Sequence, residues 1–147
     1  MFLLDTNIVS LFDPRRKAEA TNIVAWIRRN DRWLYLSVFT LTEIKAGILK
    51  IRRKGPSKRA DELDKMLALL QSAFGGRILP IDANVALLIA ELGELTRHLY
   101  IGLPDLAIAA TAKLYDFTVV TRNTADFAPT GVAFVDPYAA LPSDIPG

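Results

Sequence analysis

Four side chains that carry oxygen ligands stand at the ends or beginnings of predicted elements: Asp5, Glu43, Asp105 and Asn123. Asp5 follows the short apolar run 2–4, which is typical of a strand buried on both faces. Glu43 and Asp105 fall in the first turns of predicted helices, and Asn123 follows a predicted strand. Because the carboxyl ends of parallel strands meet at one edge of a sheet, this placement predicts an acidic cluster assembled from distant parts of the chain.

Clustered carboxylates are suited to a hard divalent cation, in the first place Mg²⁺, with Mn²⁺ expected to substitute. Two like charges about 4 Å apart repel by about 4 kcal/mol at an effective dielectric constant of about 20, so three ionised acids need a cation between them. A metal held in this way activates water and stabilises charge on a phosphodiester. The residues therefore predict hydrolytic phosphoryl transfer, with Asp5, Glu43 and Asp105 as metal ligands.

Each of these three acids also has an ordinary structural interpretation. Asp5 is placed to cap a short helix that begins near Thr6. Thr40 and Glu43 form the T-x-x-E pattern of a capping box. Asp105 follows a proline at a helix start, where the helix dipole favours an acid. Only the combination of the three favours a functional site.

The remaining polar candidates carry weaker signals. Asn123 and Asp126 are candidate catalytic residues, but they flank a predicted turn, where both residue types are common. Asp64 and Asp82 are expected to be surface or capping residues rather than ligands. His98 is the one histidine of the chain, and we expect it at a helix end in contact with solvent.

Short apolar stretches alternate with helical ones along the chain, which indicates an α/β fold with a parallel sheet covered by helices on both faces. The predicted strands cover residues 2–4, 33–37, 78–81, 117–121 and 132–135. The predicted helices cover residues 18–29, 40–52, 57–74, 83–97 and 105–114. We expect a single domain over residues 1–147, with an irregular tail from about residue 137.

The composition narrows the class of protein. The absence of cysteine excludes disulfides and thiolate metal sites, and one histidine argues against a zinc site. The first residues are not typical of a signal peptide, and no apolar stretch approaches the roughly 20 residues that span a bilayer, so we expect a cytoplasmic protein without a membrane partner. A net charge of +2 says little about binding partners. A hydrophobic fraction of 51% predicts that another chain covers part of the surface.

The densest basic stretch lies at residues 50–59. Its candidate RNA contacts are Lys50, Arg52, Arg53 and Lys54, which would bind backbone phosphates. A solvated helix end followed by a loop explains the same charges equally well.

Four motifs, FLLDTN, LTEIKAGI, PDLAIAATA and VVTRNTADF, occur in this order within residues 2–136, and together they resemble the PIN domain, its VapC toxins and their FitB-like branch. The resemblance implies a sheet in the order 3-2-1-4-5 and a divalent-metal endoribonuclease. It places the acids of the family on Asp5, Glu43 and Asp105. The fourth position falls on Asn123, whose amide binds Mg²⁺ less strongly than a carboxylate, and Asp126 is the candidate to supply the missing charge.

The same resemblance implies supporting residues and partners. Thr121 is expected to orient the site by hydrogen bonding, and Asn7 is expected to support the acids from a second layer. Family members dimerise and are inhibited by a small antitoxin of the VapB type, whose C-terminal tail enters the acidic groove. The expected substrate is RNA, and promoter DNA is expected to be bound only through the antitoxin.

Two other interpretations are weighed against this one. An aspartate after the first strand also occurs in receiver domains and haloacid-dehalogenase-like phosphatases, but the sequence from Asp5 to Asn7 lacks the second acid of their D-x-D motif. The other alternative is a non-catalytic RNA-binding or regulatory module built on the same fold. Retention of Asp5, Glu43 and Asp105 favours an enzyme.

Overall fold

A sheet of five parallel strands organises the part of the chain that the computed structural model describes, residues 1–146. The strands are β1 (Phe2–Leu4), β2 (Leu34–Ser37), β3 (Ile78–Leu79), β4 (Thr118–Val120) and β5 (Phe134–Val135). At the centre of the sheet, Phe2 of β1 is in register with Leu34 on one side and with Thr118 on the other. The spatial order is β3-β2-β1-β4-β5, which confirms the predicted order.

Helices connect these strands. Within residues 1–146 they are α1 (Thr6–Val9), α2 (Thr21–Arg29), α3 (Val38–Arg52), α4 (Lys58–Phe74), α5 (Ala83–Leu95), α6 (Leu103–Tyr115) and α7 (Thr124–Phe127). Each predicted helix is present, although α2 begins later than predicted because residues 17–19 form a separate 3₁₀ turn. No helix in the described part of the chain is both long enough and apolar enough to cross a membrane.

The central strands bury alternate residues on opposite faces of the sheet. Leu4 and Val120 pack into the core formed with α1, α2 and α4. Leu3 and Val119 pack into a second core formed with α5 and α6. The α/β class with both faces covered is therefore confirmed, and the ends of the strands are left as the places where polar groups can gather.

The beginning of α3 differs from the prediction. The Ser37 hydroxyl oxygen accepts a hydrogen bond from the Phe39 backbone N–H at 3.1 Å, and the helix begins at Val38. Glu43 therefore lies in the second turn, and the capping box predicted for Thr40 and Glu43 is wrong. The physical reason is that the last residue of β2 is itself a capping serine, so the helix begins without an intervening loop.

Two other caps agree with the sequence patterns. Ser57 caps α4 through the backbone N–H of Ala60 at 3.2 Å, and Asp82 caps α5 through that of Val85 at 2.9 Å. At the other end of α4, Gly75 adopts a φ of 44°, a left-handed conformation in which a side chain would be strained. Asp82 is thus a capping residue, as predicted.

Candidate active site

The carboxyl edge of the sheet gathers acidic side chains from separate elements. Asp5 directly follows β1, and Asp126 lies in α7, shortly after β4. Glu43 lies in α3, and Asp105 lies in the first turn of α6, as predicted. Burial raises the pKa of Asp105, and the negative charges of Asp5, Asp126 and Glu43 raise it further. The structure therefore brings the four predicted acids into one cluster, which we call the acidic cluster.

Asp5 is the most constrained member, with only 4% of its surface exposed. Its Oδ1 accepts the backbone N–H of Thr6 at 2.7 Å, so the predicted capping role is present. Its Oδ2 accepts the Thr121 hydroxyl at 2.7 Å and the Asn7 amide at 2.9 Å. Burial raises the pKa of Asp5, while these three hydrogen bonds lower it. Thr121 and Asn7 therefore hold one oxygen of Asp5, as the resemblance implies, and Oδ1 keeps one acceptor position.

A hydrogen bond from Thr6 holds Glu43 at the cluster, and this contact is not predicted from the sequence. The Thr6 hydroxyl donates to Glu43 Oε1 at 2.6 Å, and Thr6 Oγ1 also lies 3.4 Å from the Thr40 hydroxyl oxygen. Burial is the main cause of a raised pKa at Glu43, and the charge of Asp5 raises it further. The signal for Thr6 is its place directly after the first acid, but only the fold brings it to α3.

Asp105 and Asp126 are joined by an amide. Asn123 Nδ2 donates to Asp126 Oδ2 at 2.7 Å and lies 3.4 Å from Asp105 Oδ2. Burial, the charge of Asp5 and a hydrogen bond with Asp126 raise the pKa of Asp105 from 3.8 to about 7. Asp105 therefore exchanges readily between its protonated and ionised forms near neutral pH.

Asn123 faces these two acids with its nitrogen, which donates hydrogen bonds and cannot bind a cation. Its backbone N–H also donates to the Thr121 hydroxyl at 2.9 Å, so the Asn123 contacts link the Asp105 side of the cluster to the Asp5 side. In this arrangement Asn123 is a bridge between acids, and Asp126 provides the fourth carboxylate.

The donor set suits a hard divalent cation. In residues 1–146, no Lys or Arg forms an ion pair with any of the four acids, so none of them is neutralised by direct contact with a basic side chain. Across the same range, no three His, Cys, Asp or Glu side chains already stand in the geometry of a metal site. The carboxylates fit Mg²⁺ by donor type and by uncompensated charge, and Asp105 in particular gains from a nearby cation.

The basic stretch lies at the far end of α3. Arg52 is nine residues beyond Glu43, a distance of about 13 Å along a helix. Its guanidinium contacts Asp61 at 2.8 Å and Asp64 at 2.6 Å, so it forms ion pairs that join α3 to α4. The other three candidates are exposed and form no ion pair with a carboxylate of residues 1–146: Lys50, Arg53 and Lys54. RNA contact by these residues stays a prediction.

His98 lies in the turn after α5, whose last helical residue is Leu95, rather than on the helix. Its side chain is exposed, as expected, and it makes no hydrogen bond with an acid of the cluster among the described residues. The cluster therefore contains carboxylates, hydroxyls and amides, and no imidazole.

Comparison with known proteins points to a single family. The model of the PIN domain matches residues 2–131. The chain is 35% identical over 144 residues to toxin FitB of Neisseria gonorrhoeae, a match that covers 94% of this chain and 99% of FitB. It is 32% identical over 142 residues to VapC ribonuclease Y4jK of Sinorhizobium fredii, covering 94% of this chain and 98% of that protein.

Solved structures agree with these relatives. The chain superposes on a chain of the FitAcB crystal structure from Neisseria gonorrhoeae with a TM-score of 0.78 and 34% identity, covering 94% of this chain and 99% of that one. It also superposes on a chain of a toxin–antitoxin complex from Klebsiella pneumoniae with a TM-score of 0.63 and 29% identity, covering 94% and 98% of the two chains.

Proposed function

Because this chain belongs to the PIN domain family, we propose that it is the toxin of a toxin–antitoxin pair and a Mg²⁺-dependent endoribonuclease. The observation that carries the catalytic part is the acidic cluster, in which four carboxylates meet without a basic partner in residues 1–146. The names of the relatives support the toxin and ribonuclease parts. Membership of the family also removes the alternative of an aspartate-based phosphoryl-transfer protein, and the presence of Asp5, Glu43 and Asp105 disfavours a non-catalytic module.

Asp5 and Asp105 would be the principal ligands of the metal, Mg²⁺ or in its place Mn²⁺, and Glu43 would bind it through a water molecule. When bound, the ion supplies positive charge that activates water and stabilises the negative charge developing on the phosphate. Thr121 and Asn7 occupy Oδ2 of Asp5, and the Thr6 N–H occupies one position at Oδ1, so Oδ1 keeps one acceptor position for a metal. This arrangement holds the carboxylate in one orientation before RNA arrives, and such preorganisation is a large part of catalysis by charged groups.

We assign proton acceptance from the attacking water to Glu43. Its Oε1 accepts the Thr6 hydroxyl, whereas Oε2 has no hydrogen-bond donor among residues 1–146. Burial raises the pKa of Glu43, and a carboxylate is a better base when its pKa is closer to the working pH. Asp126 is the less suitable base, because it accepts the Asn123 amide at Oδ2 and also shares a hydrogen bond with Asp105. With water as nucleophile, the products carry a 5′-phosphate and a 3′-hydroxyl.

End-group analysis of a cleaved single-stranded RNA tests this chemistry. We expect 5′-phosphate and 3′-hydroxyl ends, loss of cleavage in EDTA, and recovery with Mg²⁺ or Mn²⁺. A 2′,3′-cyclic phosphate product, or full activity in EDTA, would contradict the proposal.

The toxin role is tested by expression without a partner. We expect growth arrest with the wild-type chain, relief with Asp105→Asn, and continued arrest with the matched variant Asp64→Asn, which alters a carboxylate outside the cluster. If the wild-type chain and Asp105→Asn are equally harmless in the native host, the toxin assignment fails even where cleavage in vitro succeeds.

The structural relatives support the partner side of the proposal, since one of them is a toxin–antitoxin complex. We expect an antitoxin of the VapB type to place an Arg or Lys among the carboxylates, where it competes with the metal for the same charges. DNA contact would then belong to the antitoxin, and the expected compartment is the cytoplasm. A homodimer is expected as well, because large apolar side chains lie exposed from α5 to the start of α6: Leu87, Leu95, Leu99, Tyr100 and Leu103.

A further inference from the structure

Arg122 lies beside the acidic cluster and within the motif VVTRNTADF, but the proposed chemistry gives it no role. It lies between Thr121 and Asn123, whose side chains hold the acids. Its backbone N–H donates to Asn7 Oδ1 at 3.3 Å, which holds the backbone of Arg122 at the carboxyl edge of the sheet. Its side chain is exposed.

The guanidinium of Arg122 is held by an aromatic ring. Its Cζ lies 4.5 Å from the centroid of the Tyr138 ring, at the distance of a cation–π contact. Tyr138 follows β5, the neighbour of β4, and 39% of its surface is exposed. The segments after two adjacent strands therefore combine to fix one positive charge at the edge that carries the cluster.

The positive charge of Arg122 is not neutralised by an ion pair within residues 1–146. Seven arginines form ion pairs with carboxylates: Arg15, Arg16, Arg29, Arg52, Arg59, Arg77 and Arg97. Arg122 forms none with an acid of residues 1–146, although it is the arginine directly between two residues that bind the cluster. A guanidinium that lies over an aromatic ring also keeps N–H donors available for another ligand.

We propose that Arg122, positioned by Tyr138, binds a phosphate of the RNA strand beside the bond that is cut. The proposal rests on the proposed function and names a contact for its substrate. RNA that approaches four carboxylates meets repulsion, and a fixed cation at the same edge offsets part of it. A planar guanidinium suits phosphate, and a side chain already held in place loses less conformational entropy on binding.

A protein partner explains this arginine less well. The antitoxin segment expected at the cluster brings a cation of its own, and Arg122 would repel it. The RNA backbone carries only negative charge. Arg122 therefore attracts RNA and repels the basic antitoxin segment.

Binding of a labelled 12-nucleotide single-stranded RNA of mixed sequence tests the proposal. We would use the Asp105→Asn chain with Mg²⁺, so that RNA is bound but cleavage is suppressed. In this background, Arg122→Ala is expected to weaken affinity about tenfold at low salt and to reduce the slope of log affinity against log salt by about one. Arg122→Lys is expected to retain the salt slope but only part of the affinity.

Arg32 provides the matched control. It is also an exposed arginine over an aromatic ring, 5.1 Å from the centroid of Trp33, but it precedes β2 and so lies at the opposite edge of the parallel sheet. Arg32→Ala should leave both affinity and salt slope unchanged. Tyr138→Ala should weaken RNA binding by a smaller factor than Arg122→Ala, whereas Tyr138→Phe should retain it because the ring remains.

Equal affinity and slope for Arg122→Ala and Arg32→Ala would overturn the proposal. It would be overturned equally if Arg122→Ala left RNA binding unchanged and weakened binding of a hexaglutamate peptide, since that result assigns the arginine to an acidic protein partner. If the wild-type chain neither binds nor cleaves RNA, the proposed function fails, and that outcome is distinct from a failure at Arg122 alone.

Discussion

Asp64 and Asp105 are the same residue type, each on a helix, in opposite surroundings. Asp64 in α4 contacts Lys45 at 2.8 Å and Arg52 at 2.6 Å across to α3, and hydrogen bonds from these two residues, that of Arg52 first, lower its pKa. Asp105 in α6 forms no ion pair with a residue of 1–146, and burial together with the charges of Asp5, Asp126 and Glu43 raises its pKa to about 7. Opposite charges therefore attract between α3 and α4, whereas like charges repel one another at the carboxyl edge of the sheet.

The difference separates structural acids from functional ones. An acid paired with cations stabilises the fold in its ionised form, whereas an acid grouped with other acids destabilises it until a cation arrives. A cluster of the second kind is a candidate functional site for that reason. The contrast predicts that neutralising the two aspartates has opposite consequences for activity and for stability.

RNA cleavage should show the largest difference. Asp105→Asn removes a metal ligand and is expected to lower the rate of cleavage by about 100-fold or more. Asp64→Asn, which alters an acid outside the cluster, is expected to leave the rate within about twofold of wild type. Single-turnover cleavage of one RNA by both variants, with circular dichroism to verify folding, makes the comparison. Equal losses in the two variants would contradict it.

Much of this site can be predicted from the sequence because its acids follow strands or begin helices. Asp5 and Asp105 lie where short apolar runs and a proline mark the boundaries, and the parallel sheet then brings these boundaries to one edge. Glu43 is identified correctly as a member of the cluster, but the predicted helix start is wrong. A capping serine at the end of β2 and a threonine in the helix give similar local signals, and only the fold selects between them.

The contacts between side chains are much less predictable. The Thr6 hydroxyl contacts Glu43 across 37 positions of sequence, and Asn123 Nδ2 lies 3.4 Å from Asp105 Oδ2 across 18 positions. Neither contact has a local pattern, because each joins segments that only the fold brings together. The same is true of Arg122 and Tyr138, which come together only because β4 and β5 are neighbours.

The stability of the metal-free protein should show the second largest difference. Asp105→Asn is expected to be more stable than wild type, and Asp64→Asn less stable. The pKa of Asp105 is raised from 3.8 to about 7, so the folded chain holds its proton more tightly than the unfolded chain, and the resulting stability is lost as pH rises from about 4 to about 7. In EDTA at pH 8, Asp105→Asn should be more stable than wild type by about 1–2 kcal/mol, after allowance for solvent screening.

This gain should shrink as pH is lowered from 8 to 5. Asp64 has a lowered pKa, so its contribution is present above the unfolded pKa and is lost as pH falls. Asp64→Asn should therefore melt below wild type at pH 8. Thermal denaturation followed by circular dichroism measures both variants, and a lower melting temperature for Asp105→Asn in EDTA would contradict the interpretation of the cluster.

A smaller effect is expected where a hydroxyl positions an acid. Thr121 and Thr111 are both fully buried, but Thr121 donates to Asp5 at 2.7 Å, whereas Thr111 donates to the Ala107 carbonyl of its own helix at 2.8 Å. Thr121→Val should lower cleavage about tenfold, as loss of a group that orients a metal ligand does. Thr111→Val should leave cleavage within about twofold, so kinetics of the two variants separate positioning from burial.

The smallest expected effect is at His98. Since this imidazole is exposed and contacts none of the four acids in the described structure, His98→Ala should retain cleavage within about twofold. Rate measurements from pH 6 to pH 9 on wild type and variant suffice. A tenfold loss, or disappearance of a pH dependence seen in wild type, would indicate imidazole acid–base chemistry in place of the carboxylate mechanism.

Calorimetric titration with Mn²⁺ tests the central claim most directly, namely that the acidic cluster holds the metal. Three proteins are compared at pH 8: wild type, the double variant Asp5→Asn with Asp105→Asn, and the control double variant Asp61→Asn with Asp64→Asn. We predict saturable binding for wild type and for the control, and its loss in the cluster variant, with folding verified for each. Undiminished Mn²⁺ binding by the cluster variant would contradict the account.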